Sequence, residues 1–176
     1  MEEIAKPTFT SRMDSYKIIE RMMAEKYAKG TTTKKAIGDF MISDTHAVNV
    51  KSNNLEKQNY SPNIISIKRM HEWIFEEKNN LSFIFVDYRE VGDAVKIEFE
   101  SALIPIEHIS WDCLSIEAQG YGVIQMPFAR KIDPQQTKAG FYVGFLAAYK
   151  KYKDKEIKKH EKFTKRLISD GDSINW

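Results

Sequence analysis

The 176-residue sequence predicts an α/β fold in which a mixed β-sheet is flanked by helices and followed by a long basic C-terminal helix. Three observations lead to this prediction. Apolar residues recur at helical spacing in residues 13–29, residues 81–88 form an almost continuous apolar run, and residues 94–100 alternate between apolar and polar. With 42% hydrophobic and 30% charged residues, the chain is long enough for one domain over residues 1–176.

The composition excludes several classes of protein. A single cysteine, Cys113, rules out a disulfide framework and a cysteine-based zinc site. No apolar run approaches the ~20 residues that cross a bilayer, and no stretch resembles a signal peptide. We therefore expect a cytoplasmic protein that has no membrane partner.

The net charge of +2 hides an uneven distribution. Residues 149–166 contain nine Lys/Arg and three Asp/Glu, a local net charge of +6, and the remaining 18 basic and 22 acidic residues give −4. A basic segment on a slightly acidic body is typical of proteins that bind polyanions. On charge alone, a solvated helix face explains the segment equally well.

The first half of the chain predicts a helix, a hairpin and a second helix. Residues 13–29 form the first helix, and residues 36–42 and 46–52 form two strands around a short turn. Ser61 and Pro62 are a helix-start signal, with serine as the cap and proline in the first helical position. We expect the second helix to run from there.

The second half predicts strands and then the last helix. Residues 81–88 indicate a buried central strand, and residues 94–100 a strand with its valine, isoleucine and phenylalanine inward. Residues 113–126 predict one further strand, interrupted at its two glycines by a bulge or a close backbone approach. Residues 137–168 predict the long helix.

Three polar residues of the hairpin form a candidate catalytic group. Asn49 and Lys51 alternate with valines, so they share one face of their strand, and Asp39 lies on the preceding strand. Phosphodiester hydrolysis needs a divalent metal, an activated water and positive charge near the phosphate. Asp39 and the backbone carbonyl of Val50 are oxygen ligands suited to magnesium. The spacing alone is also met by chance in surface hairpins.

A polar loop, residues 53–63, follows the hairpin and leads to Asn63 in the first turn of the predicted second helix. A side-chain amide can form two hydrogen bonds with adenine, and a helix N-terminus favours phosphate. Alternatively, Asn63 and Ser61 satisfy unpaired amides at the helix start.

The run GDFMISDTHAVNVKSNNLEKQNYSPNIIS (residues 38–66) resembles the catalytic hairpin and following loop of type II restriction endonucleases of the PD-(D/E)xK superfamily. Within that superfamily it is most similar to the HincII-like branch, and a fainter resemblance extends over residues 36–165. The resemblance implies a restriction-endonuclease-like core that uses Mg²⁺ to hydrolyse double-stranded DNA. It also implies a homodimer on a short palindromic site and a companion methyltransferase in the cell.

Residue by residue, the resemblance implies a catalytic set and a DNA-binding set. Asp39 corresponds to the first metal-binding aspartate, Lys51 to the catalytic lysine and Asn63 to an asparagine that contacts bases. Asn49 and the Val50 carbonyl would complete the metal site. The resemblance places further DNA contacts in the polar loop and in a second groove-reading strand, and the charge distribution adds lysines of the basic helix: Gln58, Asn59, Tyr60, Ser61, Gln119, Tyr121, Lys150 and Lys153.

The chain departs from the family pattern at Asn49, where the family usually has aspartate or glutamate. An amide oxygen can still ligate a metal, though more weakly, and Glu20 on the first helix is the nearby acid expected to compensate. The sequence leaves open whether Asn49 is natural or an inactivating substitution. Two other functions therefore stay open: a DNA-binding protein whose cleavage is disabled by Asn49, and a structure-specific DNA repair nuclease.

Overall fold

The computed structural model describes residues 3–5, 15–28, 37–57, 60–92, 94–117 and 122–172, with the backbone alone for residues 3–5 and 170–172. The helices of these ranges are α1 (Ser15–Tyr27), α2 (Ile67–Met70), which continues into a π-helical turn (His71–Glu76), and α3 (Lys138–Asp172). The strands are β1 (Glu3–Ala5), β2 (Phe40–Ser43), β3 (His46–Asn54), β4 (Asn63–Ser66), β5 (Asn80–Val91), β6 (Ala94–Glu100), β7 (Ile104–Pro105), β8 (Ser115–Glu117) and β9 (Val123–Gln125).

The main sheet is mixed, as the sequence predicts. Its strand order is β1-β6-β5-β3-β2, and β7 pairs with β5 outside this path. Strands β3 and β5 are parallel, while the other pairs are antiparallel. A second, three-stranded antiparallel sheet has the order β4-β9-β8.

Helices cover both faces of the main sheet. Ile19 and Met23 of α1 are buried with Val48 and Val50 of β3 in one core cluster. Phe141 of α3 belongs to the other cluster, together with the alternate residues of β5 and the second sheet. The buried, β-branched and aromatic composition of β5 follows from this covering on both faces. The predicted α/β architecture with a long basic C-terminal helix is thus confirmed.

The second helix starts later than the sequence predicts. Residues Asn63–Ser66 are a strand, and α2 begins at Ile67 with the Ser66 hydroxyl accepting a hydrogen bond from the Arg69 backbone N–H at 3.4 Å. Pairing with β9 satisfies the backbone of this segment, whose Ile64 and Ile65 are both buried. This tertiary pairing outweighs the local helix-start signal at Ser61 and Pro62.

Residues 113–126 form two strands and not one. Strands β8 and β9 pair in an antiparallel hairpin, in register from Ser115 opposite Gln125 to Glu117 opposite Val123. Gly122 enters β9 with φ of +102°, and a Cβ atom there would lie 2.7 Å from Ile67 Cδ1. Gly122 therefore has a backbone conformation that favours glycine and closely approaches Ile67.

Strand β6 also differs from its predicted alternation. A bulge shifts the register, because Asp87 pairs with Phe99 while the next residue, Tyr88, pairs with Ile97. Phe99 and Ile97 consequently lie on opposite faces of the sheet. Phe99 is 44% exposed and does not join the core that was predicted for it.

In the described part of the chain, no helix combines the length and the apolar character required to span a bilayer.

Candidate active site

Asp39 lies directly before the first residue of β2, beside β3. Its backbone N–H donates to the Val48 carbonyl at 2.8 Å, and its Oδ2 accepts a hydrogen bond from the Val50 N–H at 2.7 Å. The Asp39 carboxylate thus accepts from the Val50 N–H in place of a backbone carbonyl, just before β2 begins. The preceding residue is constrained too, since a Cβ at Gly38 would lie 2.6 Å from the Val48 carbonyl oxygen.

Lys51 lies on the same face of β3 as Asn49, opposite the buried Val48 and Val50. Burial lowers the pKa of Lys51, and the negative charges of Asp39 and Glu20 offset part of this shift. Asp39 before β2 and Glu20 of α1 therefore both lie within electrostatic reach of Lys51 on β3. Three of the predicted catalytic residues, Asp39, Lys51 and Glu20, form one cluster in this sense.

The oxygen atoms near this cluster fit a hard divalent cation. The N–H and C=O of a strand residue point to the same side, so the Val50 carbonyl faces the edge where its N–H meets Asp39. The Asn49 amide is partly exposed on the Lys51 face. In the described ranges no group of three or more His, Cys, Asp or Glu could hold a metal ion. Magnesium typically takes one or two carboxylates with phosphate and water oxygens, and Asp39 and Glu20 are carboxylates of that kind whose charges act on Lys51.

A cleft of about 470 Å³ opens beside the cluster. It contains Glu20, Val50 and Lys51, and the predicted DNA contacts Tyr60, Ser61 and Asn63 also line it. The cleft therefore joins Glu20 and Lys51 to the predicted loop contacts in one surface. Asp39 and Asn49 are not among its lining residues.

Tyr60 stands at the wall of the cleft with 36% of its surface exposed. Burial of its hydroxyl end raises the pKa of Tyr60, Asp87 raises it further, and Arg130 acts in the opposite direction. Its phenol is consequently neutral at physiological pH. A partly exposed ring at the cleft wall is able to contact a base or a sugar.

Asn63 lies on a strand and carries a partner that sequence reasoning missed. It pairs in register with Gln125 of β9, and the Gln125 Nε2 donates to the Asn63 Oδ1 at 2.7 Å. This contact fixes the orientation of the Asn63 amide at the edge of the cleft. Nothing in the sequence marks the pair, because the two residues are separated by 62 positions.

The remaining predicted DNA contacts fall into two groups. Gln58, Asn59, Gln119 and Tyr121 lie outside the described residues. Lys150 and Lys153 are exposed on α3, and Lys150 lines a separate surface groove with Lys151, Lys155 and Lys158. The structure does not bring these lysines into the cleft.

Comparisons with known proteins yield similarity to solved structures alone. No protein-family model matches the chain, and no curated protein does so. Among solved structures, the chain is similar to the NlaIV restriction endonuclease, with 13% sequence identity, coverage of 87% of this chain and 83% of that chain, and a TM-score of 0.49. At this identity and TM-score, the similarity does not assign an activity.

Proposed function

We propose that the chain is a magnesium-dependent, sequence-specific endonuclease of double-stranded DNA, a type II restriction enzyme of the PD-(D/E)xK superfamily. The observation that carries this proposal is the convergence of Asp39, Glu20 and a partly buried Lys51 beside an open cleft. Carboxylates that can hold a metal, and a cation near the phosphate, are groups that metal-assisted phosphodiester hydrolysis uses. The resemblance of residues 38–66, which include Asp39 and Lys51, supports the same chemistry.

The residues of the cluster have distinct roles in this reaction. A bound Mg²⁺ would supply a Lewis acid and lower the pKa of the attacking water. Asp39, the Val50 carbonyl, the Asn49 amide oxygen and Glu20 would hold it. Lys51 would stabilise the negative charge that develops on the phosphoryl oxygens of a phosphate held beside the two acids, and its lowered pKa increases the neutral fraction able to accept a proton. Attack of water on phosphorus then leaves 5′-phosphate and 3′-hydroxyl ends.

DNA contacts beyond the reaction centre follow from the cleft and the charge distribution. Tyr60, Ser61 and Asn63 would face the bases or sugars, and the lysines of α3, including Lys150 and Lys153, would bind backbone phosphates. A homodimer on a palindromic site is the simplest way to cut both strands with two identical sites. A companion methyltransferase would protect the host DNA.

Two alternative functions differ from this proposal in the DNA substrates that they would cleave. A DNA-binding protein disabled by Asn49 would retain a specific duplex but produce no fragments. A structure-specific repair nuclease would cut flaps or four-way junctions and leave plain duplex intact.

The products of digestion separate these functions. We expect discrete fragments with 5′-phosphate ends from phage or plasmid DNA at ~10 mM Mg²⁺, a concentration suited to a weak oxygen-ligand site. The same reactions should contain synthetic flaps and junctions labelled with a second dye. Cleavage confined to the branched substrates would replace the restriction-enzyme proposal with the repair nuclease, and specific retention without fragments would favour the disabled protein.

A further inference from the structure

Arg130, in the segment that follows β9, is held in an unusual way. Its guanidinium carbon lies 4.6 Å from the ring centroid of Phe85 and 4.9 Å from that of Phe99. Its Nη2 lies 3.7 Å from Asp87 Oδ2. Two aromatic rings and one carboxylate thus hold a single cation over the sheet.

This environment fixes the guanidinium without satisfying its donors. The 3.7 Å separation from Asp87 is too long for a hydrogen bond, and the other Asp87 oxygen accepts one from Asn53 Nδ2 at 3.0 Å. Across the described ranges, no acceptor lies within hydrogen-bond distance of Arg130. Its side chain is only 25% exposed. Partly desolvated charged donors without acceptors are costly unless an anion binds them.

Arg130 lies on the sheet face that carries Lys51. Lys51 pairs with Phe85 across the parallel β3–β5 ladder, and Asn53 pairs with Asp87 two residues further along. Paired residues of adjacent strands project to the same face at a spacing of about 4.8 Å. The bulge in β6 turns Phe99 to this same face. The cation is therefore one strand away from the proposed catalytic lysine.

The wall of the cleft connects the two cations. Tyr60, which lines the cleft with Lys51 and Asn53, is close enough to Arg130 for the two groups to interact electrostatically. Arg130 is not itself among the lining residues of the cleft, so it borders the cleft through Tyr60. A backbone phosphate of DNA bound at the cleft is an anion that could accept from the N–H groups of Arg130.

We propose that Arg130 is a substrate-binding residue that holds a backbone phosphate of DNA bound at the cleft, on the sheet face that carries Lys51. This inference rests on the proposed DNA-cleaving function. The planar guanidinium can offer two parallel N–H groups to a phosphate, which an ammonium cannot do. Phe85 and Phe99 keep its plane fixed before DNA arrives, so little side-chain entropy is lost on binding.

Salt-dependent DNA binding tests the inference. Arg130→Gln, Arg130→Lys and the control Arg89→Gln should be titrated with duplex DNA in magnesium-free buffer between about 50 and 200 mM salt. Arg89 is a suitable control, because it is a β5 arginine whose Nε lies 3.8 Å from Glu98 and which has no aromatic ring around it in the described contacts. We expect Arg130→Gln to weaken binding by about tenfold and to reduce the slope of log K against log salt by about 1. Arg89→Gln should leave both values unchanged.

The possible outcomes separate the two proposals. If the unaltered chain binds DNA and Arg130→Gln behaves as Arg89→Gln does, the Arg130 inference fails while the proposed function stands. If the unaltered chain neither binds nor cuts DNA, the proposed function fails and the inference falls with it. If thermal unfolding shows that Arg130→Gln does not fold, Arg130→Lys decides the question, because it keeps the positive charge. Weaker DNA binding by Arg130→Lys with an unchanged slope of log K against log salt supports the inference. Unchanged DNA binding by Arg130→Lys overturns it.

Discussion

Lys51 shows, at the scale of a single residue, how the proposed site trades stability for chemistry. Its ammonium is buried enough to lower its pKa, and the nearby charges of Asp39 and Glu20 compensate only in part. A protein selected for stability alone would place an uncharged side chain here. A lysine of lowered pKa beside two acids is instead a common feature of catalytic sites.

Replacing Lys51 by methionine should stabilise the fold and abolish cleavage. The pKa of Lys51 in the folded chain lies below its ordinary 10.5, so between the lowered value and 10.5 the unfolded chain holds more protons. The free energy of unfolding therefore rises with pH across that window. The destabilisation caused by the buried charge of Lys51 is fully present at pH values below the lowered pKa. Denaturant unfolding at neutral pH and near pH 10 should give a stability gain for Lys51→Met that shrinks at the higher pH.

The control for this prediction is Lys57→Met, which removes an exposed lysine from the same cleft. It should leave stability within about 0.5 kcal/mol of the original. Cleavage should fall by about 100-fold or more in Lys51→Met alone, as when one stabilising group is removed from a reaction centre. A Lys51→Met variant that is less stable at neutral pH would contradict the account.

Residues of the site differ in how far the sequence predicts them. Alternation with two valines was enough to put Asn49 and Lys51 on one face, because a short buried strand obeys a strict period of two. Arg130 and Gln125 carry no such signal. Their partners, Phe85 and Asn63, come from distant segments, and only the packed sheets bring them together.

At the scale of elements, α2 illustrates a local signal that tertiary pairing overrides. Proline after serine favours a helix start at Ser61, yet the segment pairs with β9 and the cap moves to Ser66. The type of an element is predictable where a periodic pattern extends over many residues or where both faces are buried, as for α1, β5 and α3. The prediction fails for β4, a four-residue strand whose partner β9 lies about 60 residues away.

A pair of serine substitutions checks where this helix starts. Ser66→Ala removes the hydroxyl that accepts from the Arg69 N–H and should lower the free energy of unfolding by about 0.5–1 kcal/mol. Ser61→Ala, in the exposed segment before β4, should cost less than about 0.5 kcal/mol. Urea titration of both variants measures the difference. A larger cost for Ser61→Ala would restore the helix start that the sequence indicates.

Two glycines of α3 test the contact between this helix and the rest of the core. A Cβ at Gly144 would lie 2.4 Å from Trp111 Cδ1, whereas the nearest atom to a Cβ at Gly140 is Thr137 Oγ1 at 3.5 Å. Gly144→Ala should therefore lower the free energy of unfolding by about 1–3 kcal/mol. Gly140→Ala should be neutral or stabilising by up to about 1 kcal/mol, because alanine favours helix.

Thermal and denaturant unfolding of the two alanine variants give the comparison directly. Equal effects from both would mean that α3 does not pack its Gly144 face against Trp111. The position of Trp111 distinguishes the two glycines.

At the scale of the whole molecule, the two sheets and α1 together form the cleft. Glu20 comes from α1, Lys51 from the main sheet and Asn63 from the small sheet. Under the proposed function, Glu20 and Lys51 would act on a DNA strand that Asn63 helps to bind. The basic half of α3 is exposed, and under the same proposal its lysines would bind phosphates.

The most direct test of the central claim is digestion of phage DNA with Mg²⁺ by the chain itself and by its Asn49→Asp, Asp39→Ala and Asp44→Ala variants. Asp44 is an exposed acid of the same hairpin and controls for the loss of a charge. The account predicts discrete fragments from the chain and from Asp44→Ala, at least equal cleavage from Asn49→Asp, and none from Asp39→Ala. Fragments from Asn49→Asp alone would make the chain a disabled nuclease. No fragments from any folded variant, or undiminished cleavage by Asp39→Ala, would contradict the account.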